Sequence, residues 1–198
     1  MRKNILLSLV ILILCGGGLM AQINLKPHIG ANYTTFSTVP QFYTQENAVG
    51  TLIGLGVQLG GRFYVEPALE WKNAKVKLVP DLVNQTGDID IEFRGFRIPV
   101  VAGVRILGKG DALNLRLFAG PSIMINTSSE VNSNLPDLSE ESLSDAQWAV
   151  VGGLGVDVLF LYLEISYEAG LTDTFKEDIQ NWNNPSANYI YMTLGANL

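Results

Sequence analysis

From Leu25 to Leu198, apolar residues alternate with polar or small ones at a period of two in eight separate segments, and no 3.6-residue spacing holds for three turns. A chain patterned in this way is built of β-strands. The last segment sets Ile190, Met192, Leu194, Ala196 and Leu198 on one face and Tyr189, Tyr191, Thr193, Gly195 and Asn197 on the other. The fifth opposes Leu113, Leu115, Leu117, Ala119, Ile123 and Ile125 to Asn114, Arg116, Gly120, Ser122 and Asn126. The seventh opposes Leu161, Leu163, Ile165 and Tyr167 to Tyr162, Glu164, Ser166 and Glu168. The others run near 26–36, 50–60, 62–78, 89–106 and 147–158. In the fourth, Ile89, Ile91 and Phe93 are out of phase with Phe96, Ile98 and Val100, which calls for a slip, with Gly95 as the natural bulge.

Connections alternate in length. Gly60-Gly61 and Leu107 to Asp111 are tight turns, whereas Ser37–Val49, Val79–Asp88, Thr127–Ala146 and Thr172–Asn188 are long and polar. Short turns at one end and long loops at the other are the pattern of a bacterial outer-membrane barrel, with both termini on the short-turn side. The junction at Leu159-Phe160 carries no Gly, Asn or Pro, so its turn type is not assigned by the sequence.

Alternation does not say which face meets water, because a soluble lipocalin-like carrier is apolar inside and a lipid-embedded barrel is apolar outside. The charges and glycines decide. Lys26, Glu66, Glu70, Arg97, Arg105, Arg116, Asp157, Glu164 and Glu168 all project from the face opposite the aliphatic one, together with Gly54, Gly103, Gly155 and Gly195. Small residues on that face leave room for large ones in the narrow lumen of an eight-stranded barrel. A lipid-facing Arg or Lys at mid-depth costs about 2–4 kcal/mol, which is reason enough to clear the aliphatic face of charge. The nine ionic residues are therefore expected to form a salt-bridge network in the lumen. Tyr33, Phe36, Trp71, Phe93, Phe96, Trp148 and Tyr167 are candidates for interfacial girdles.

Met1-Arg2-Lys3, the apolar run Ile5 to Leu14 and the small residues ending at Ala21 form the three parts of a secretory signal peptide. The run is too short for a comfortable membrane span of about 20 residues. Residues 1–21 are thus read as the signal and 22–198 as one barrel domain. Removal of Arg2 and Lys3 from the 13 basic residues leaves 11 against 19 acidic ones, a balance of −8. That balance argues against binding nucleic acid. Cys15 leaves with the signal, so the mature chain has no thiol for a disulfide or a metal site.

The chain resembles the small outer-membrane β-barrel domains of the Bacteroidetes type, often labelled porin-like or PorT-like. The likeness is carried by Ala21-Gln22, Arg97-Ile98-Pro99-Val100, Phe118-Ala119-Gly120-Pro121, Gly153-Leu154-Gly155-Val156 and Tyr167-Glu168-Ala169-Gly170-Leu171-Thr172. It covers the whole mature chain, and the last residue is Leu198 where the family usually ends in an aromatic one. The resemblance implies the scaffold, and a role in protein secretion or surface assembly is the alternative it suggests.

Little in the sequence points to chemistry. His28 is the only histidine, and a barrel enzyme using a Ser-His-acid arrangement would need it. No nucleophile motif lies near it, and a hydrogen-bonded lumen histidine is the plainer reading. Glu66/Glu70 and Glu164/Glu168 are four residues apart on strands, about 13 Å at roughly 3.3 Å per residue, too far for paired acid-base work. Glu130, Asp137, Glu140, Glu141 and Asp145 make an acidic loop without calcium-binding spacing.

The expectation is an all-β, eight-stranded antiparallel up-and-down transmembrane β-barrel, with short periplasmic turns and long extracellular loops. It is a monomer in the bacterial outer membrane with a side-chain-filled lumen, a structural or surface-interaction role, no catalytic residue, no metal and no cofactor. Its partners are outer-membrane lipid, the barrel-assembly machinery during biogenesis, and a protein partner at the extracellular loops.

Overall fold

A computed structural model of the chain describes residues 23–37, 43–46, 49–80, 89–108, 113–132, 144, 146–172 and 186–198. The proposed signal, Phe36's side chain and most of the long connections lie outside the described residues. The strands are β1 (Ile23–Phe36), β2 (Tyr43–Glu46), β3 (Val49–Gly60), β4 (Phe63–Pro80), β5 (Ile89–Leu107), β6 (Leu113–Asn132), β7 (Ala146–Val158), β8 (Leu161–Gly170) and β9 (Ala187–Ala196).

Eight of these close into a barrel. Each strand from β3 to β9 pairs antiparallel with the next, and β1 pairs with both β3 and β9. Closure matters because an open edge in hydrocarbon leaves backbone groups unpaired, at several kcal/mol each by the usual estimate of about 2–7. Leu25 and Leu198 exchange backbone hydrogen bonds at 2.9 Å each, so the two ends of the barrel wall meet at the short-turn end.

The strand outside the barrel cycle is β2, whose four residues pair with the outer end of β4, from Glu46 opposite Lys77 to Tyr43 opposite Pro80. The sequence places a loop there. Four residues, Tyr-Thr-Gln-Glu, are too few and too polar to display an alternation.

Two further expectations change. Phe93 is not in a girdle: its side chain is 1% exposed and turns into the barrel with Arg97 on the same uninterrupted inward face of β5. The extra residue sits on β6, where Arg94 pairs with Ser128 and Gly95 with Asn126, so that Thr127 is the bulge. On β5 the phase does not slip: the inward face carries apolar Phe93 above ionic Arg97, and that change of content reads in the sequence like a change of phase. By the same reorganisation β6 continues to Asn132, beyond the loop start expected at Thr127.

The Leu159-Phe160 junction is a two-residue hairpin between the paired Val158 and Leu161. Leu159 has φ 55°, and Phe160 does not share the positive value. Positive φ at the first central residue is the pattern of the primed hairpin turn that usually has Gly there.

Lateral burial follows the alternation. Leu163, Leu194, Leu154 and Ile165 face outward and are exposed, while Lys26, Lys72, Arg116 and Glu168 face inward and are buried almost completely. That placement excludes a soluble carrier with an aliphatic interior. Trp71, Phe96, Trp148 and Tyr167 are exposed on the outer wall, and Trp71 meets Phe96 edge-on with centroids 4.9 Å apart. Tyr33 is half-buried.

Candidate functional site

Inward-facing side chains fill the lumen in layers, set by strand register. On β4 the inward residues run Tyr64, Glu66, Ala68, Glu70, Lys72, Ala74, Val76 from the short-turn end to the loop end. This order is polar at the base, ionic in the middle and apolar at the top. Phe93 from β5 and Ala187 from β9 join Ala74 and Val76 in the top layer, each 2% exposed or less.

The ionic layer contains two clusters. In the lower one, Lys26 Nζ donates to both oxygens of Glu66 at 2.8 Å and to Glu164 Oε1 at 3.0 Å. Arg116 donates from Nη2 to Glu164 at 2.7 Å, from Nε to Asp157 at 2.9 Å and from Nη1 to the Tyr64 hydroxyl at 3.2 Å. In the upper cluster, Arg97 donates from Nη1 to Glu70 at 2.6 Å and from Nε to Glu168 at 2.8 Å. Its Nη2 lies 2.7 Å from the same Glu168 oxygen. These are charge-assisted contacts, shorter and stronger than neutral ones.

Eight of the nine ionic residues read from the sequence are brought together in these clusters. Arg105 is not among them. It sits at the short-turn end and donates to Gly61 O at 2.8 Å and Gln58 Oε1 at 2.6 Å, neutral acceptors, because its position near the end of β5 aims it at the β3–β4 turn. The lone histidine lies between the clusters, with Nδ1 3.0 Å from Lys26 O and Nε2 3.2 Å from Glu70 Oε1.

Lys72 belongs to the upper cluster although the sequence reading passes over it. Its amine donates to the Tyr191 hydroxyl at 2.6 Å and stands 2.9 Å above the Tyr189 ring, and Tyr191 in turn donates to Glu168 at 2.9 Å. The missed signal was parity, since Lys72 shares the even register of Glu66 and Glu70. Cation–π contacts at Tyr162 for Lys26 and at Tyr191 for Arg97 complete the burial of the cations.

The clusters leave a cavity of about 40 Å³ between them, bordered by His28, Glu66, Glu70, Arg97, Glu164 and Tyr191. That is room for about three waters. Among the described residues no group of three His, Cys, Asp or Glu side chains is arranged to hold a metal ion. Of the acidic loop, only Glu130 falls on a described strand, where its backbone pairs opposite Glu92; Asp137, Glu140, Glu141 and Asp145 lie outside the described residues.

Outside the girdle, the wall changes character. On the outer ends of β4 and β5 the outward residues are Asn73, Lys75, Glu92 and Arg94, joined by Glu92 contacts from Arg94 at 2.8 Å, Asn73 at 2.8 Å and Lys75 at 3.3 Å. A charged ladder of this kind belongs in water and marks where the apolar band stops.

Comparison with known proteins agrees with this architecture. The fold is similar to that of the outer membrane protein OprG from Pseudomonas aeruginosa, at TM-score 0.52, 12% identity, and coverage of 91% of this chain and 95% of that one. Ail, the attachment invasion locus protein of Yersinia pestis, crystallised with the heparin analogue sucrose octasulfate, matches at TM-score 0.45 and 10% identity, covering 90% of this chain and 99% of that one. Neisserial surface protein A matches at TM-score 0.46 and 11% identity, covering 89% and 97%. No curated protein is significantly similar in sequence. Residues 20–176 match the outer membrane protein beta-barrel domain family, and the chain belongs to that family.

Proposed function

We propose that this is a surface-exposed structural or interaction protein of the bacterial outer membrane whose barrel does not serve as a general pore. The observation that carries the reading is the filled lumen. Two ionic clusters span the interior at mid-height, and the apolar layer of Ala74, Val76, Phe93 and Ala187 lies above them. A solute crossing the barrel would have to break charge-assisted contacts between buried partners, and the cavity between the clusters holds about three waters. An eight-stranded wall leaves an interior only wide enough for side chains in any case. The barrel then acts as an anchor, and activity falls to the parts that stand outside the membrane.

A catalytic role is not part of the proposal. His28 has both ring nitrogens engaged by Lys26 O and Glu70, with no hydroxyl nucleophile against it in the described contacts. The test is planar-bilayer recording of the purified barrel. No stable conductance is expected, and sustained discrete steps would overturn the proposal.

A further inference from the structure

We infer that His28 is an imidazolium in the folded barrel, the fifth cation of the two buried clusters. The first ground is its donor and acceptor inventory. Nδ1 faces the Lys26 carbonyl oxygen at 3.0 Å and Nε2 faces Glu70 Oε1 at 3.2 Å. A backbone carbonyl can only accept, and an ionised carboxylate can only accept. A neutral imidazole has one N–H, so it satisfies one of these partners and turns a bare lone pair toward the other. Only the doubly protonated ring donates to both.

Glu70 is held in its ionised form from the other side. Arg97 Nη1 donates to Glu70 Oε2 at 2.6 Å, so a proton placed on the carboxyl would leave a buried guanidinium facing a neutral acid in place of an ion pair. The proton therefore belongs to the ring.

The second ground is the charge of the buried set. Lys26 and Arg116 stand against three carboxylates, Glu66, Asp157 and Glu164. Arg97 and Lys72 stand against two, Glu70 and Glu168, Lys72 through the Tyr191 hydroxyl. Within the two clusters four cationic side chains thus face five acids, while Arg105 stands apart at the mouth on Gly61 O and Gln58 Oε1. His28 lies where the two clusters meet, with Glu66, Glu70, Glu164, Arg97 and Tyr191 around the same cavity. From β3 the approach is made by Gly54, where an added Cβ would come within 2.6 Å of Nε2, so no competing charge faces the ring from that strand. A charged ring brings the count within the two clusters to five against five.

Because the chain contains one histidine, the experiment needs no assignment. The protein, labelled with ¹⁵N-histidine and purified in detergent micelles, is examined by NMR at pH 7.5, where a free imidazole of pKa about 6.5 is mostly neutral. Both ring nitrogens are expected at proton-bearing shifts in one-bond coupling to hydrogen. A single bare nitrogen at that pH would overturn the inference. Glu70→Gln supplies the second measurement, because its amide can donate to Nε2. In that variant the ring is expected to show one bare nitrogen, and two protonated nitrogens would show that Glu70 is not what holds the charge.

Discussion

The Tyr64 ring of β4 lies directly over Gly103, its cross-strand partner on β5, so that a Cβ on Gly103 would overlap the phenol. Tyr64 has nowhere to retreat, being 3% exposed and fixed by Arg116 through its hydroxyl. Gly152 on β7 is the contrast. It faces outward, and a Cβ there would meet only Phe118 O at 3.8 Å and the Ala119 methyl at 3.9 Å. Gly103→Ala is therefore expected to destabilise the barrel by about 1–3 kcal/mol through overpacking, while Gly152→Ala stays within about 0.5 kcal/mol of the parent. Urea unfolding midpoints in lipid vesicles compare the two; equal effects would mean that the lumen has slack.

Arg116 serves two carboxylates at once and is 1% exposed. Arg116→Ala leaves Glu164 and Asp157 short of a buried partner and is expected to cost about 3–5 kcal/mol, the range for breaking a buried ion pair from one side. A loss under 1 kcal/mol in the same unfolding assay would place these acids in contact with water.

Leu154 sits near the middle of the outward face of β7 and is 52% exposed. With lipid around the barrel, Leu154→Arg is expected to lower folding stability by about 2–4 kcal/mol, whereas Lys75→Ala, on the charged ladder beyond the girdle, changes it by less than about 1 kcal/mol. Reversal of that order would move the membrane away from the aliphatic band.

Leu159 holds φ 55° at the first position of its hairpin. The left-handed region costs a side-chain-bearing residue roughly 1–2 kcal/mol, and glycine gives back about 0.5–1 kcal/mol of that in chain entropy. Leu159→Gly is expected to yield a small net gain, about 0.5–1 kcal/mol, read as a slower unfolding rate or a higher urea midpoint. A loss would show that the exposed leucine contributes more through its contacts than it gives up in strain.

Most of the barrel was legible because one physical demand, apolar out and ionic in, acts on every strand with the same period. Parity alone would have found Lys72 as well: once Glu66 and Glu70 are placed inward, Lys72, two residues beyond Glu70 on the same strand, is inward too. What alternation could not locate were events between strands. The apparent slip on β5 is no slip: its inward face stays continuous and changes from ionic Arg97 to apolar Phe93, while Glu92 and Arg94 take the outward face, and the extra residue at Thr127 belongs to the partner strand. Arg105 has the right parity and yet misses the acids, since parity fixes the side chain's face while depth along the strand decides whom it meets. The Leu159 turn escaped because the hairpin geometry overrides the residue's own preference.

The wall is uneven in height. Three adjacent strands, β4, β5 and β6, run 18, 19 and 20 residues, whereas β8 and β9 across the barrel run 10 each. Since about 9–11 residues cross a bilayer, the taller side continues as hydrogen-bonded sheet well past the lipid headgroups, while the described strands of the lower side end near them. Among the described residues, paired sheet thus stands above the membrane as a stiff parapet on one flank, which gives the wall a direction that no symmetric cylinder has.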